Sequence, residues 1–140
     1  MAGILWSVQL IPLWHRAYVR AHPLAPVISL GILLGGLVNL LAPELVEETA
    51  SAIVLPEYVL LLFNLVWTIG GAAGTIGFIR GWSRIEGAGM ALIAGGLGAY
   101  YTAIITLRST TALTGLFIGL LAVGCGLRAW QLFRHGYGRL

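Results

Sequence analysis

The side chains of this sequence that could do chemistry are few and far apart. His15, His22 and His135 lie near the two ends of the chain and share no metal-ligand spacing. The lone cysteine, Cys125, sits inside an apolar run, so no intrachain disulfide can form and a small core residue is its expected role. No serine or cysteine has a base beside it, so no activated nucleophile is suggested, and neither an enzyme nor a bound metal or cofactor is expected. Glu44, Glu47 and Glu48 follow Pro43, where carboxylates offset the dipole of a short helix. The glycine of a calcium loop is missing there, which favours a solvated acidic face. Glu86 stands within a helical turn of Arg80 and Arg84 and reads as a local ion-pair and capping residue. It belongs to a turn and is poorly placed to carry protons through a bilayer. The run GGAAG at 70–74 lacks the Gly-Lys-Ser/Thr ending and the preceding strand of a phosphate loop.

These residues hang on a chain made for lipid. Of 140 residues, 59% are hydrophobic and 9% charged, and the mean hydropathy is +0.93; that leaves too little polar surface to cover a soluble globule. The pI near 9.5 would suit a nucleic-acid partner in a soluble protein. Here the arginines stand at the ends of apolar runs, where they set membrane topology, and no nucleic acid is expected. Spans are predicted at about 24–42, 58–79, 88–107 and 112–133, within a transmembrane domain over 23–134. Pro23 and Pro26 open the first span, since proline is tolerated in a helix's first turn, and Pro43 closes it. Residues 1–22 are too short an apolar run to cross and predict an interfacial amphipathic helix with Gln9, Arg16 and Arg20 on one side. Residues 135–140 form a short basic tail. The expected fold is therefore an all-α integral membrane protein, four transmembrane helices in a compact bundle plus the interfacial helix.

Orientation follows from the arginines, which are retained on the cytoplasmic side. Arg16, Arg20, Arg80, Arg84, Arg128, Arg134 and Arg139 fall on one side of a four-span arrangement and Arg108 alone on the other. Both termini are then cytoplasmic, in a bacterial inner membrane; Arg128 is expected to snorkel towards the headgroups. Three spans would put the tail arginines outside and break the asymmetry.

Helices in lipid associate through close backbone approach, which small residues permit. The sequence offers Gly31 and Gly35 in the first span; Gly70, Gly74, Gly77 and Gly81 in the second; Ala88, Ala91, Gly95, Gly98 and Thr102 in the third; Gly115, Gly119, Ala122 and Gly126 in the fourth. Steps of four and three match the period of a left-handed seam. These faces predict helix packing, within one chain or between copies of a homo-oligomer. Polar groups inside the spans are sparse: Glu57, Asn64, Thr68 and Thr75 run along one side of the second span, and Asn39 lies at a comparable depth in the first. Two readings stay open, a bond between Asn39 and Asn64 or a polar lining that becomes wet in an oligomer. No carboxylate sits in mid-span, as a proton-coupled small multidrug exporter would need in its first helix.

The segments LPEYVLLLFNLVW, GGAAGTIGFIRGW, RIEGAGM and RAWQLFR, between residues 55 and 134, give a pattern that resembles small uncharacterised four-span membrane proteins of actinobacterial phages. Arginine without lysine, glutamate without aspartate and 20 glycines agree with GC-rich coding. The resemblance implies a phage protein in the host's cytoplasmic membrane and a holin-like role: a protein that oligomerises, permeabilises the bilayer and works with an endolysin. Four spans exceed the usual number for holins, and the basic tail is short. The alternatives are a small channel or transporter subunit using the Asn64–Thr68 side, and a non-catalytic accessory or exclusion protein that binds another membrane component.

Overall fold

A computed structural model of the chain describes residues 24–42, 44, 56–107 and 112–136. The expected interfacial helix with Arg16 and Arg20, the glutamates Glu47 and Glu48, and Arg108 and Arg139 lie outside the described residues. The described residues build four helices: α1 over Leu24–Leu41, α2 over Glu57–Arg80, α3 over Ser83–Leu107 and α4 over Ala112–His135. Pro26 falls in the first turn of α1, where its missing N–H costs no bond. Pro56 stands immediately before α2, its carbonyl accepting the N–H of Val59 at 2.9 Å and of Leu60 at 3.2 Å. α1, α2 and Gly115–His135 of α4 are long and apolar enough to cross a membrane. α3 is as long as its neighbours, with 25 residues, but opens on Ser83, Arg84 and Glu86. Large apolar side chains such as Leu34, Leu62, Ile69, Phe117, Leu120 and Val123 face outward, a surface suited to lipid.

One tight reversal joins α2 to α3. Gly81 takes φ of 69°, a left-handed conformation that favours glycine, and donates its N–H to Phe78 O at 3.3 Å; Trp82 donates to Gly77 O at 2.8 Å. This pair of bonds satisfies the last carbonyls of α2. The carbonyl of Trp82 then accepts the N–H of both Ile85 and Glu86 at 3.0 Å. α3 therefore starts at Ser83, earlier than the expected start near 88, because a single left-handed glycine turns the chain and the polar residues that follow occupy a helical first turn. Gly81, expected on the packing stripe of α2, serves the turn instead.

Consecutive helices run antiparallel. Contacts of Gly36 with Thr68, Gly71 with Leu33 and Gly74 with Ser29 join α1 to α2; Gly70 with Ile93, Gly74 with Gly89 and Gly77 with Glu86 join α2 to α3; Gly87 with Leu132 and Phe133, Gly126 with Ala94, and Gly115 with Tyr101 join α3 to α4. α1 touches α3 only slightly, and no close backbone approach joins α1 or α2 to α4 among the described residues. Among the described residues the four helices pack in chain order as a row, without contacts that close α1 onto α4. The glycines of α2 set this order: adjacent Gly70 and Gly71 admit α3 on one face and α1 on the next. The core is Met90, Ile93 and Leu97 of α3 with Cys125 and Ala129 of α4 and Ala25 of α1.

Candidate functional site

The antiparallel row gathers the described arginines at one end. The C-terminal ends of α2 and α4 and the start of α3 meet there, so Arg80, Arg84, Arg128 and Arg134 share it. Arg80 lies over the ring of Trp82 at 5.5 Å and Arg134 over that of Trp130 at 5.4 Å, contacts typical of guanidinium on indole. Ser83 and Gly136 are also neighbours there, 3.5 Å separating Ser83 Oγ from the position of a β-carbon on Gly136.

At this end Glu86 is fully buried, and its carboxylate meets a guanidinium from another helix. Arg128 donates from Nε at 3.2 Å and from Nη2 at 3.0 Å, both to Oε1 of Glu86. The arginine side chain is only 12% exposed. The ion pair shown for Glu86 is thus with Arg128 of another helix, whereas Arg80 and Arg84, its neighbours in sequence, are exposed, and the Arg128 side chain is turned inward rather than snorkelling to the surface. Two features bring this about. The early start of α3 makes Glu86 a helical residue facing the row, and Gly77 lets the backbone of Glu86 settle against α2, where a β-carbon would lie 2.7 Å from Glu86 Cα. A carboxylate and a guanidinium withdrawn from water this way hold one another, since either alone would be an uncompensated buried charge.

The opposite end carries exposed carboxylates, Glu57 at the start of α2 and Glu44 just past α1, and uncharged polar groups between the helices. Asn39 donates from Nδ2 to Asn64 Oδ1 at 3.2 Å across α1 and α2. Thr68 bonds back to Asn64 O at 2.7 Å, and Gly36 packs on Thr68. Trp67, Phe63 and Tyr100 form an aromatic cluster between α2 and α3, with centroids 5.2 to 6.2 Å apart. Trp67 Nε1 and Thr75 Oγ1 are buried without a hydrogen-bond partner among the described residues. Among those residues, no group of His, Cys, Asp or Glu is placed to hold a metal ion.

The glycines sort into two sets. Gly70, Gly74 and Gly77 are buried against neighbouring helices, and Gly115, Gly119 and Gly126 meet Tyr101 or Ala94. Gly31, Gly35, Gly95 and Gly98 would meet nothing within 4 Å even with a β-carbon added. Gly36, Gly71, Gly89 and Gly96, absent from the expected faces, are buried in the row. Their signal is the doublet: Gly35-Gly36, Gly70-Gly71 and Gly95-Gly96 each place two small residues on adjoining faces. Ser29 is a further buried residue that sequence reasoning passed over; it bonds Ala25 O at 3.1 Å and lies 4.0 Å from Met90 Sδ, where α1, α2 and α3 meet.

Comparison with protein-family models, curated proteins and solved structures finds no match. The functional reading therefore stands on the geometry of this chain alone.

Proposed function

We propose that this protein is a four-span integral membrane protein with cytoplasmic termini that assembles with copies of itself, and that the assembly permeabilises the bilayer in the manner of a phage holin. The observation that carries this reading is the row itself: a β-carbon at Gly31 or Gly35 of α1, at Gly95 or Gly98 of α3 or at Gly124 of α4 would meet nothing within 4 Å, which leaves small-residue positions open to a second copy. Polar groups support it too, since Asn39 and Asn64 bond each other and Glu86 holds Arg128, which leaves a single chain poor in groups to wet a pathway. Arginines gathered at one end favour that end as cytoplasmic. An endolysin is the functional partner on this reading.

The test is induced expression in a bacterial host, following membrane potential and dye entry, with Gly95→Leu as the control. Abrupt depolarisation after a lag is expected, lost in Gly95→Leu at equal membrane level. Continued growth with an intact potential at high membrane level refutes permeabilisation. A second reading, a channel or transporter subunit, is favoured by the buried Glu86–Arg128 pair, because ionisable residues within spans commonly mark ion or substrate pathways. It expects a selective, saturable flux that Glu86→Gln abolishes.

A further inference from the structure

We propose that the arginine-bearing end of the row is a binding site for an anionic phospholipid, whose phosphate is held by Arg80, Arg84 and Arg134 beside the rings of Trp82 and Trp130. The inference rests on the membrane-spanning part of the reading above and not on permeabilisation.

Three helices contribute to the site. Arg80 closes α2, Arg84 stands in the first turn of α3 and Arg134 in the last turn of α4. Packing brings these turns together: the left-handed Gly81 sets the end of α2 beside the start of α3, and a β-carbon on Gly136 would lie 3.5 Å from Ser83 Oγ. Arg80, Arg84 and Arg134 are exposed, whereas Glu86 at this end is buried and the exposed carboxylates Glu44 and Glu57 belong to the other end. The surface formed by these three turns is therefore cationic, and its complement is an anion.

The side chains around the arginines say which kind of anion. Trp82 and Trp130 are exposed, and such rings in a membrane protein settle at the level of the headgroups, apolar body towards the acyl chains and N–H towards water. Arg80 lies over the ring of Trp82 and Arg134 over that of Trp130, which sets both guanidiniums at that same level. An arginine so placed can present its fork of N–H donors to two oxygens of a phosphate while the indole supports its face. Each arginine also adjoins an exposed apolar side chain, Ile79, Ile85 or Phe133. A free phosphate leaves those side chains uncovered; a phospholipid lays its acyl chains over them while its phosphate meets the guanidiniums. Attraction of this kind draws anionic lipids to clustered arginines on the cytoplasmic side of a membrane.

The test places the full chain in phosphatidylcholine vesicles with a rising fraction of phosphatidylglycerol whose acyl chains carry bromine, a quencher of nearby tryptophans. Each protein is referred to its own measurement with brominated phosphatidylcholine, so that the ratio reads lipid preference. Phosphatidylglycerol is expected to quench at a lower fraction than phosphatidylcholine, with a preference that falls roughly fivefold in each of Arg80→Gln, Arg84→Gln and Arg134→Gln. Arg134→Lys, which keeps the charge and loses the fork, is expected to fall between the parent and Arg134→Gln. Arg108→Gln removes one positive charge just past the other end of α3, after Leu107, and is expected to leave the preference unchanged. Equal quenching by the two lipids overturns the site, and so does an equal fall in Arg108→Gln, which would make the preference one of net charge alone. Sodium phosphate that abolishes the preference where sodium chloride of the same ionic strength does not would replace the lipid by a free anion and overturn the proposal as well. None of these readouts involves leakage, and a chain that is not embedded shows itself by escaping brominated phosphatidylcholine. Failure of the site is thus told apart from failure of the permeabilisation and membrane-spanning readings.

Discussion

Gly77 is the residue on which most of the arginine-bearing end depends. It is buried in α2, and the backbone of Glu86 lies where its side chain would be, so a methyl group there must push α3 away and move Glu86 relative to Arg128. Gly77→Ala is expected to destabilise the protein by about 1–3 kcal/mol, the usual range for overpacking. Gly35→Ala, at an exposed position with nothing within 4 Å, is expected to leave stability unchanged or slightly raised, since alanine is the better helix former. Thermal unfolding in detergent, followed by circular dichroism, checks both. Equal losses at the two positions would mean that Gly77 is not held against Glu86.

At the scale of elements, the α2–α3 hairpin turns on a single residue. Gly81→Ala must place a β-carbon in a left-handed conformation, at a cost of about 1–2 kcal/mol. The expected signature is a lowered unfolding temperature that Gly81→Asn, with its greater tolerance of that conformation, partly restores. Apolar runs made the helices legible in the sequence: 24–42 against α1 at Leu24–Leu41, and 112–133 against α4 at Ala112–His135. The start of α3 was not legible, because Ser83, Arg84 and Glu86 suit a loop and a helical first turn equally well, and only the hydrogen bonds from Ile85 and Glu86 to Trp82 decide. The partner of Glu86 was hidden for the same reason. Arg80 and Arg84 are near it in sequence, whereas Arg128 comes to it only through the register of two helices. Doublets hid the packing faces, since a stripe counted at steps of three and four takes Gly35 and Gly95 while the row buries Gly36 and Gly96.

For the whole molecule, the decisive question is whether α3 crosses the membrane with the other three helices. Its 25 residues would reach about 37 Å at 1.5 Å per residue, enough for a hydrocarbon core of about 30 Å. Its antiparallel packing between α2 and α4 sets its start beside the end of α4, as the closeness of Ser83 to Gly136 records. If α3 crosses, the α2–α3 turn and the end of α4 emerge on one side, and the start of α2 on the other. If α3 lies outside the bilayer while α1, α2 and α4 cross, the turn and the end of α4 emerge on opposite sides. Single cysteines in place of Ser83, His135 and Glu57, each with Cys125→Ala, separate the two with a membrane-impermeant maleimide on intact and on inverted vesicles. Labelling of the Ser83 and His135 positions from the same side, and of the Glu57 position only from the other, is expected. Ser83 and His135 positions that label from opposite sides would reduce the spans to three, scatter the arginines across both surfaces and remove the argument for cytoplasmic termini.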